Sequence, residues 1–113
     1  MLLSETQHQQ ALFSWAKQYP ELDIMYAIPN QGARTRLNAA RMKAEGMKAG
    51  IPDICLPIAK KGFHGLYIEL KTDGGKLSPM QKKRLQQLEE NGYKALVCYG
   101  WESAKDEILA YLK

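Results

Sequence analysis

The stretch that decides the fold is Gly65-Leu-Tyr-Ile-Glu-Leu-Lys-Thr72, in which apolar and polar residues alternate. Alternation with a period of two predicts a β-strand whose two faces differ. The leucine and isoleucine side chains share one face, which should meet the core, so Tyr67, Glu69 and Lys71 share the other. At about 3.3 Å per residue, the Cα atoms of Glu69 and Lys71 lie roughly 6.6 Å apart. The strand therefore presents a carboxylate and an ammonium group side by side.

A second short strand, Asp53-Ile-Cys-Leu56, comes shortly before and follows Gly50-Ile51-Pro52. The two strands are predicted to be neighbours in a hairpin, which would bring Asp53 beside Glu69. Two carboxylates suit Mg²⁺, which fills the rest of its octahedron with waters and phosphate oxygens. Lys71 could then orient or help deprotonate an attacking water and offset charge that grows on a phosphate. Taken alone, a Glu-x-Lys pair is better explained as a solvated ion pair, and it is Asp53 that favours the functional interpretation.

The remaining elements follow from capping, turn and periodicity signals. Ser4 and Gln7 have capping-box spacing and open the first helix, which Pro20 ends. Ser78, Pro79 and Gln81 open another helix in the same way, with the proline at the first helical position. The predicted order is a helix over 5–18, a strand over 25–28, a basic second helix, the two strands above, a helix over 79–91, a strand over 93–99 and a helix over 101–112. The second helix is predicted from the spacing of Leu37, Ala40, Ala44 and Met47 and is interrupted at Gly46.

Length and composition predict one globular domain spanning residues 1–113. The chain has 45% hydrophobic and 25% charged residues, which excludes collagen-like, disordered and disulfide-scaffold proteins. Cys55 and Cys98 lie in apolar runs without metal-ligand spacing, so we expect buried thiols in a reduced, cytoplasmic protein. The first ten residues lack the features of an export signal, and no apolar run approaches the roughly 20 residues that span a bilayer. The net charge of +4 permits a polyanionic partner.

Several of these segments together resemble a nuclease family. Gly50–Asp53 followed by Tyr67–Lys71 is similar to the PD-(D/E)xK nuclease pattern. The segments that further resemble the VRR-NUC branch of that superfamily, the virus-type replication and repair nucleases, are Pro29–Gly32, Leu77–Gln81 and Gly92–Ala95. The resemblance covers about residues 5 to 100. It implies an α/β fold with a restriction-endonuclease-like core, in which helices flank a central mixed four-stranded sheet.

The resemblance also implies the site residues. Asp53 and Glu69 would bind the metal, Lys71 would serve catalysis, and Gln81 would lie near the active site. A backbone carbonyl, that of Leu70, is expected as a further ligand. Gln81 is equally explained as the partner of Ser78 in a capping box.

In this family an acidic residue on the first helix often completes the metal site, and Glu5 is the candidate here. It stands at the end of a stripe with helical spacing that includes His8, Leu12 and Trp15 and should face the sheet. The alternative is that Glu5 only interacts with the helix dipole. His8 is a candidate partner for Glu5, and His64 has no assigned role.

The residues expected to contact DNA are mostly basic. Contacts to phosphates give affinity that does not depend on base sequence, although each basic residue alone is also explained as part of a solvated surface. Asn30 either forms only a turn or contacts the substrate. The full set is Asn30, Arg34, Arg36, Arg41, Lys48, Lys60, Lys61 and Lys76.

The function expected from these features is an endonuclease dependent on Mg²⁺ or Mn²⁺ that hydrolyses phosphodiester bonds in DNA. We expect a homodimer of phage or prophage type that acts on branched DNA such as a Holliday junction, in the host bacterial cytoplasm. One alternative is a DNA-binding module without catalysis, whose binding would be indifferent to metal chelation. Another is a sequence-specific restriction endonuclease, although 113 residues leave little room for a domain that reads bases.

Overall fold

A computed structural model describes residues 2–29 and 36–113. The labelled elements, in chain order, are α1 (Glu5–Ala16), β1 (Tyr26–Ala27), α2 (Arg36–Ala44), β2 (Ile54–Leu56), β3 (Leu66–Lys71), α3 (Pro79–Glu90), β4 (Lys94–Tyr99) and α4 (Trp101–Leu112). A short 3-10 helix, Pro20–Ile24, precedes β1. None of the described helices is long and apolar enough to cross a membrane.

The strands form one mixed four-stranded sheet in the order β1-β2-β3-β4. β2 is antiparallel to both β1 and β3, whereas β3 is parallel to β4, with α3 forming the connection. Ile54 lies opposite Ile68, and extending this register by one residue places Asp53 opposite Glu69. The α/β class, the mixed sheet and the hairpin predicted from the sequence are confirmed.

Helices cover both faces of the sheet. The apolar face of β3 packs in the core against α1 and α4, which contribute Leu12, Ile108 and Tyr111 among their buried residues. On the other face, α3 lies over β4 and contacts Glu69. The alternation along β3 therefore sends its leucine and isoleucine side chains to the core and its carboxylate to the opposite face.

Some predicted boundaries differ from the structure near the N-terminus. The first helix ends at Ala16 rather than 18, and Pro20 starts the 3-10 helix instead of only terminating α1. The predicted strand over 25–28 is reduced to Tyr26–Ala27, because the N–H of Met25 donates to the carbonyl of Leu22 and so completes a helical turn. Met25 is still buried and contributes to the core.

Candidate metal centre

Asp53 lies at the start of β2 and is buried. Its Oδ2 accepts a hydrogen bond of 2.8 Å from the backbone N–H of Leu70, which holds the carboxylate against β3. The preceding segment is held by α3, because Gly50 packs against the backbone of Met80 and the Arg84 Nε donates to the Ala49 carbonyl at 3.0 Å. The sheet and α3 together therefore fix the position of Asp53.

Glu69 is the most deeply buried acidic side chain among the described residues, with only 1% of its surface exposed. Its Oε2 lies 3.7 Å from the Lys71 Nζ and accepts a hydrogen bond of 3.3 Å from the Gln81 Nε2. Within the described part of the chain, its Oε1 is buried and has no hydrogen-bond partner. The alternative of a solvated Glu-x-Lys pair is therefore wrong, because the fold removes Glu69 from water.

Burial and neighbouring carboxylates raise the pKa of Glu69 to about 8. Loss of hydration is the largest cause, and the neighbouring Asp53 carboxyl group adds to the shift. Glu5 raises the pKa further, and only the positive charge of Lys71 opposes the shift. Such a carboxyl group is stabilised in its charged form by a nearby cation.

Glu5, in the first turn of α1, lies close to the two buried carboxylates. One carboxylate oxygen from each of Glu5, Asp53 and Glu69 lies within 4.8 Å of the others. Glu5 and Asp53 also line an open cleft together with Gln9 and Ile28. The helix begins where it does because Ser4 and Gln7 form the predicted capping box.

The three carboxylates fit a divalent hard cation. Mg²⁺ and Mn²⁺ prefer oxygen ligands, and the buried, unpartnered Glu69 Oε1 is a polar atom that a cation would satisfy. The backbone N–H of Leu70 faces Asp53. Because the N–H and C=O groups of a strand residue point the same way, the Leu70 carbonyl also faces the side of Asp53.

Gln81 forms the predicted capping box and also contacts Glu69. Its Oε1 accepts a hydrogen bond of 2.8 Å from the N–H of Ser78, while its own N–H donates to the Ser78 hydroxyl at 3.1 Å. With Oε1 occupied by the cap, the amide Nε2 is directed to Glu69. The capping box thus orients the amide that contacts the metal centre.

The predicted DNA-contacting residues are not all brought together. Lys76 is exposed on the connection between β3 and α3, at the end of the sheet that carries the site. Arg41 and Lys48 are exposed in and just after α2. Lys60 and Lys61 lie at the opposite end of the β2–β3 hairpin from the site, and Lys61 Nζ donates to the Ala110 carbonyl. Asn30, Arg34 and the side chain of Arg36 lie outside the described residues.

The two histidines have contacts that the sequence did not predict. His8 Nδ1 accepts a hydrogen bond of 3.1 Å from the backbone N–H of Trp101, at the start of α4. His64 lies edge-on to Tyr93, with ring centres 5.6 Å apart, and covers Gly92. Periodicity along α1 places His8 on the inward face, but the contact joins residues 93 positions apart, so no local pattern could reveal its partner.

Comparisons with known proteins identify the family and support the fold. The family model of the VRR-NUC domain matches residues 1–102. A solved structure described as a VRR_NUC domain protein is 34% identical, with a TM-score of 0.87, and the match covers 97% of this chain and 88% of that chain. A search of curated proteins found no match.

Proposed function

The chain belongs to the VRR-NUC family, and on that premise we propose that it is a metal-dependent endonuclease that hydrolyses phosphodiester bonds in DNA. The observation that carries the proposal is the convergence of Glu5, Asp53 and Glu69, with Lys71 and Gln81 beside them. Burying a carboxylate oxygen without a hydrogen-bond partner is energetically costly, and DNA binding without catalysis does not require such an oxygen.

Different residues of the chain would bind the metal, orient the attacking water and position the carboxylates. The three carboxylates would hold Mg²⁺ or Mn²⁺, with the Leu70 carbonyl as a further ligand. When bound, such an ion supplies Lewis-acid activation of the phosphate and lowers the pKa of a coordinated water.

Lys71 lies at the same carboxylate and is only 13% exposed. Its ammonium group is placed to orient the attacking water and to stabilise the negative charge that develops on the phosphate. The Gln81 amide holds Glu69 Oε2 from the other side. Exposed basic residues near this end, such as Lys76, would contact the DNA backbone without reading bases.

Substitutions in the centre should separate cleavage from DNA binding. We expect Asp53→Asn, Glu69→Gln and Lys71→Ala each to abolish cleavage and to leave DNA affinity largely intact, because the acidic centre contributes little attraction to phosphates. Cleavage of plasmid, linear duplex and four-way junction DNA would be measured with Mg²⁺, with Mn²⁺ and with chelator. Two exposed residues away from the carboxylates are matched controls: Lys17→Ala at the C-terminal end of α1 and Glu21→Gln in the 3-10 helix that follows. Undiminished cutting by Glu69→Gln would refute the mechanism.

We further propose that the enzyme acts as a homodimer on branched DNA. One domain with one metal centre cuts one strand, whereas a four-way junction offers two strands related by symmetry. A two-fold dimer presents two identical sites for such paired cuts. This architecture, and a phage or prophage origin, are implied by the resemblance to virus-type replication and repair nucleases.

We also propose that residues 1–113 work as a single domain in a reducing, cytoplasmic compartment. Both cysteines, Cys55 and Cys98, are free and buried, as the sequence predicts. Burial raises the pKa of the Cys98 thiol to about 11, which keeps it protonated and unreactive. Neither thiol lies among the carboxylates of the metal centre.

A further inference from the structure

The start of α4 lacks a cap of its own. Its N-cap residue is Gly100, which has a φ of +92° and no side chain that could accept a hydrogen bond from the first turn. An acceptor is supplied from another helix, since the His8 Nδ1 on α1 accepts from the N–H of Trp101 at 3.1 Å. A β-carbon on Gly100 would lie 3.6 Å from the His8 ring, so the imidazole packs directly on this turn.

The same turn is tied to the strand that carries the metal centre. The N–H of Gly100 donates to the carbonyl of Lys71 at 2.9 Å, immediately before the N–H of Trp101 reaches His8. The backbone N–H groups of Gly100 and Trp101 therefore connect the end of β3 to His8 on α1. Glu5 lies three residues before His8, which is about one helical turn. This connection links the first two turns of α1 to the strand that carries Glu69.

Glu5 has few other restraints. Its side chain is exposed, whereas Asp53 and Glu69 are buried and held by hydrogen bonds within the sheet and to α3. The buried residues of α1, Leu12 and Ala16, lie two and three turns further along the helix. Within the first two turns of α1, the observed side-chain hydrogen bond to another described element is that of His8.

We propose that His8 is a positioning residue that holds Glu5 at the metal centre by accepting the first N–H of α4. This inference rests on the proposed function, because it gives His8 a role only if the carboxylates bind a metal. Acceptance at Nδ1 requires the neutral ring with its proton on Nε2. This contact is made by Nδ1 and is distinct from the candidate pairing of His8 with Glu5.

The test uses three variants of the full chain that differ in where the acceptor lies. In His8→Asn the amide oxygen stands two bonds beyond Cβ, as Nδ1 does, whereas in His8→Gln it stands one bond further and matches Nε2. His8→Ala has no acceptor. Affinity for Mn²⁺ would be measured by calorimetric titration without DNA. We expect His8→Ala and His8→Gln to lose about tenfold or more, within the range for residues that orient metal ligands, and His8→Asn to stay close to the wild type.

A second comparison removes Glu5 itself. In a Glu5→Gln background, His8→Ala should lower the Mn²⁺ affinity no further, because the ligand that His8 positions is already absent. Wild-type affinity in both His8→Ala and His8→Gln, or an equal loss in the Glu5→Gln background, would overturn the proposal. If His8→Ala does not fold, the comparison of Mn²⁺ affinity between His8→Asn and His8→Gln tests the proposal, and equal affinities would overturn it.

The outcomes also separate this proposal from the proposed function. A wild-type protein that binds Mn²⁺ in a His8-dependent manner but never cleaves DNA would refute the endonuclease and leave the positioning role intact. A protein that cleaves DNA while His8 variants bind Mn²⁺ normally would refute only the positioning role. A wild-type protein that binds no Mn²⁺ would refute both.

Discussion

At the scale of single residues, the decisive property of this protein is the protonation of Glu69. The side chain is 1% exposed, and its pKa is raised to about 8 by burial and by the neighbouring carboxylates. Without a cation the folded protein therefore keeps this carboxyl group protonated near neutral pH. A bound cation favours the ionised form instead, so metal binding should release a proton.

The stability of the metal-free protein should fall as pH rises from about 5 to about 8. In this range the folded protein retains the Glu69 proton and the unfolded chain loses it, so the folded state binds more protons. One proton changes the free energy of unfolding by up to about 1.4 kcal/mol per pH unit. Urea unfolding in chelator at several pH values would measure the slope. Glu69→Gln should reduce the slope of the unfolding free energy against pH. An unchanged slope in that variant would contradict the raised pKa of Glu69 as its cause.

Glu5→Gln should lower the metal-dependent cleavage rate by at least about tenfold, because one of the three proposed carboxylate ligands is lost. The rate would be measured at limiting Mg²⁺, where weaker binding is not masked by excess metal. Glu102→Gln is a matched control, since Glu102 is also an acidic residue in the first turn of a helix but does not belong to the carboxylate cluster. A normal rate for a folded Glu5→Gln protein would leave Glu5 with a helix-dipole role only.

At the scale of elements, α3 serves the site in two ways. Its capping box orients the Gln81 amide towards Glu69. Its first two turns also hold the segment that leads into Asp53, through the packing of Gly50 on Met80. One helix terminus therefore restrains both buried carboxylates. This arrangement explains why a glycine stands shortly before the Pro-Asp pair.

Gly50→Ala should destabilise the protein more than Gly74→Ala. The two glycines have almost the same positive φ, +82° and +80°, so backbone strain is matched. A β-carbon at Gly50 would lie 2.7 Å from the Met80 backbone, whereas at Gly74 no described atom lies within 4 Å. Overpacking of this kind typically costs about 1–3 kcal/mol. Thermal or urea unfolding would measure the difference, and equal losses in both variants would contradict the close packing. Gly50→Ala should also reduce cleavage, because Asp53 follows this segment.

At the scale of the whole molecule, the sheet brings the proposed metal ligands Glu5, Asp53 and Glu69 together at one of its ends. A protein that cuts two strands of a junction then requires a second copy. Sedimentation or light scattering should give about twice the chain mass of 12.8 kDa. Symmetric nicks should appear on opposing arms of a synthetic four-way junction. A monomer that cuts linear duplex as readily as junctions would overturn the proposed dimer and substrate preference while leaving the nuclease intact.

The sequence by itself determined the local structure and much of the site. Alternation along 65–72 set the faces of β3, and the two capping boxes began α1 and α3 at the predicted residues, because these signals act within a few positions of the chain. The Asp53–Glu69 pairing followed from the hairpin register. Local patterns also left alternatives open, such as a cap or a site contact for Gln81.

Only the tertiary structure decided the contacts between distant segments. The packing buries Glu69 and raises its pKa, and it brings the Gln81 amide into contact with Glu69. It also places His8 within hydrogen-bond distance of Trp101, 93 residues away in the chain. It also placed Lys60 and Lys61 away from the metal centre, although charge alone grouped them with the other basic residues. The physical reason is that burial and electrostatics depend on which elements pack together, and that packing is set by the whole chain rather than by any short pattern.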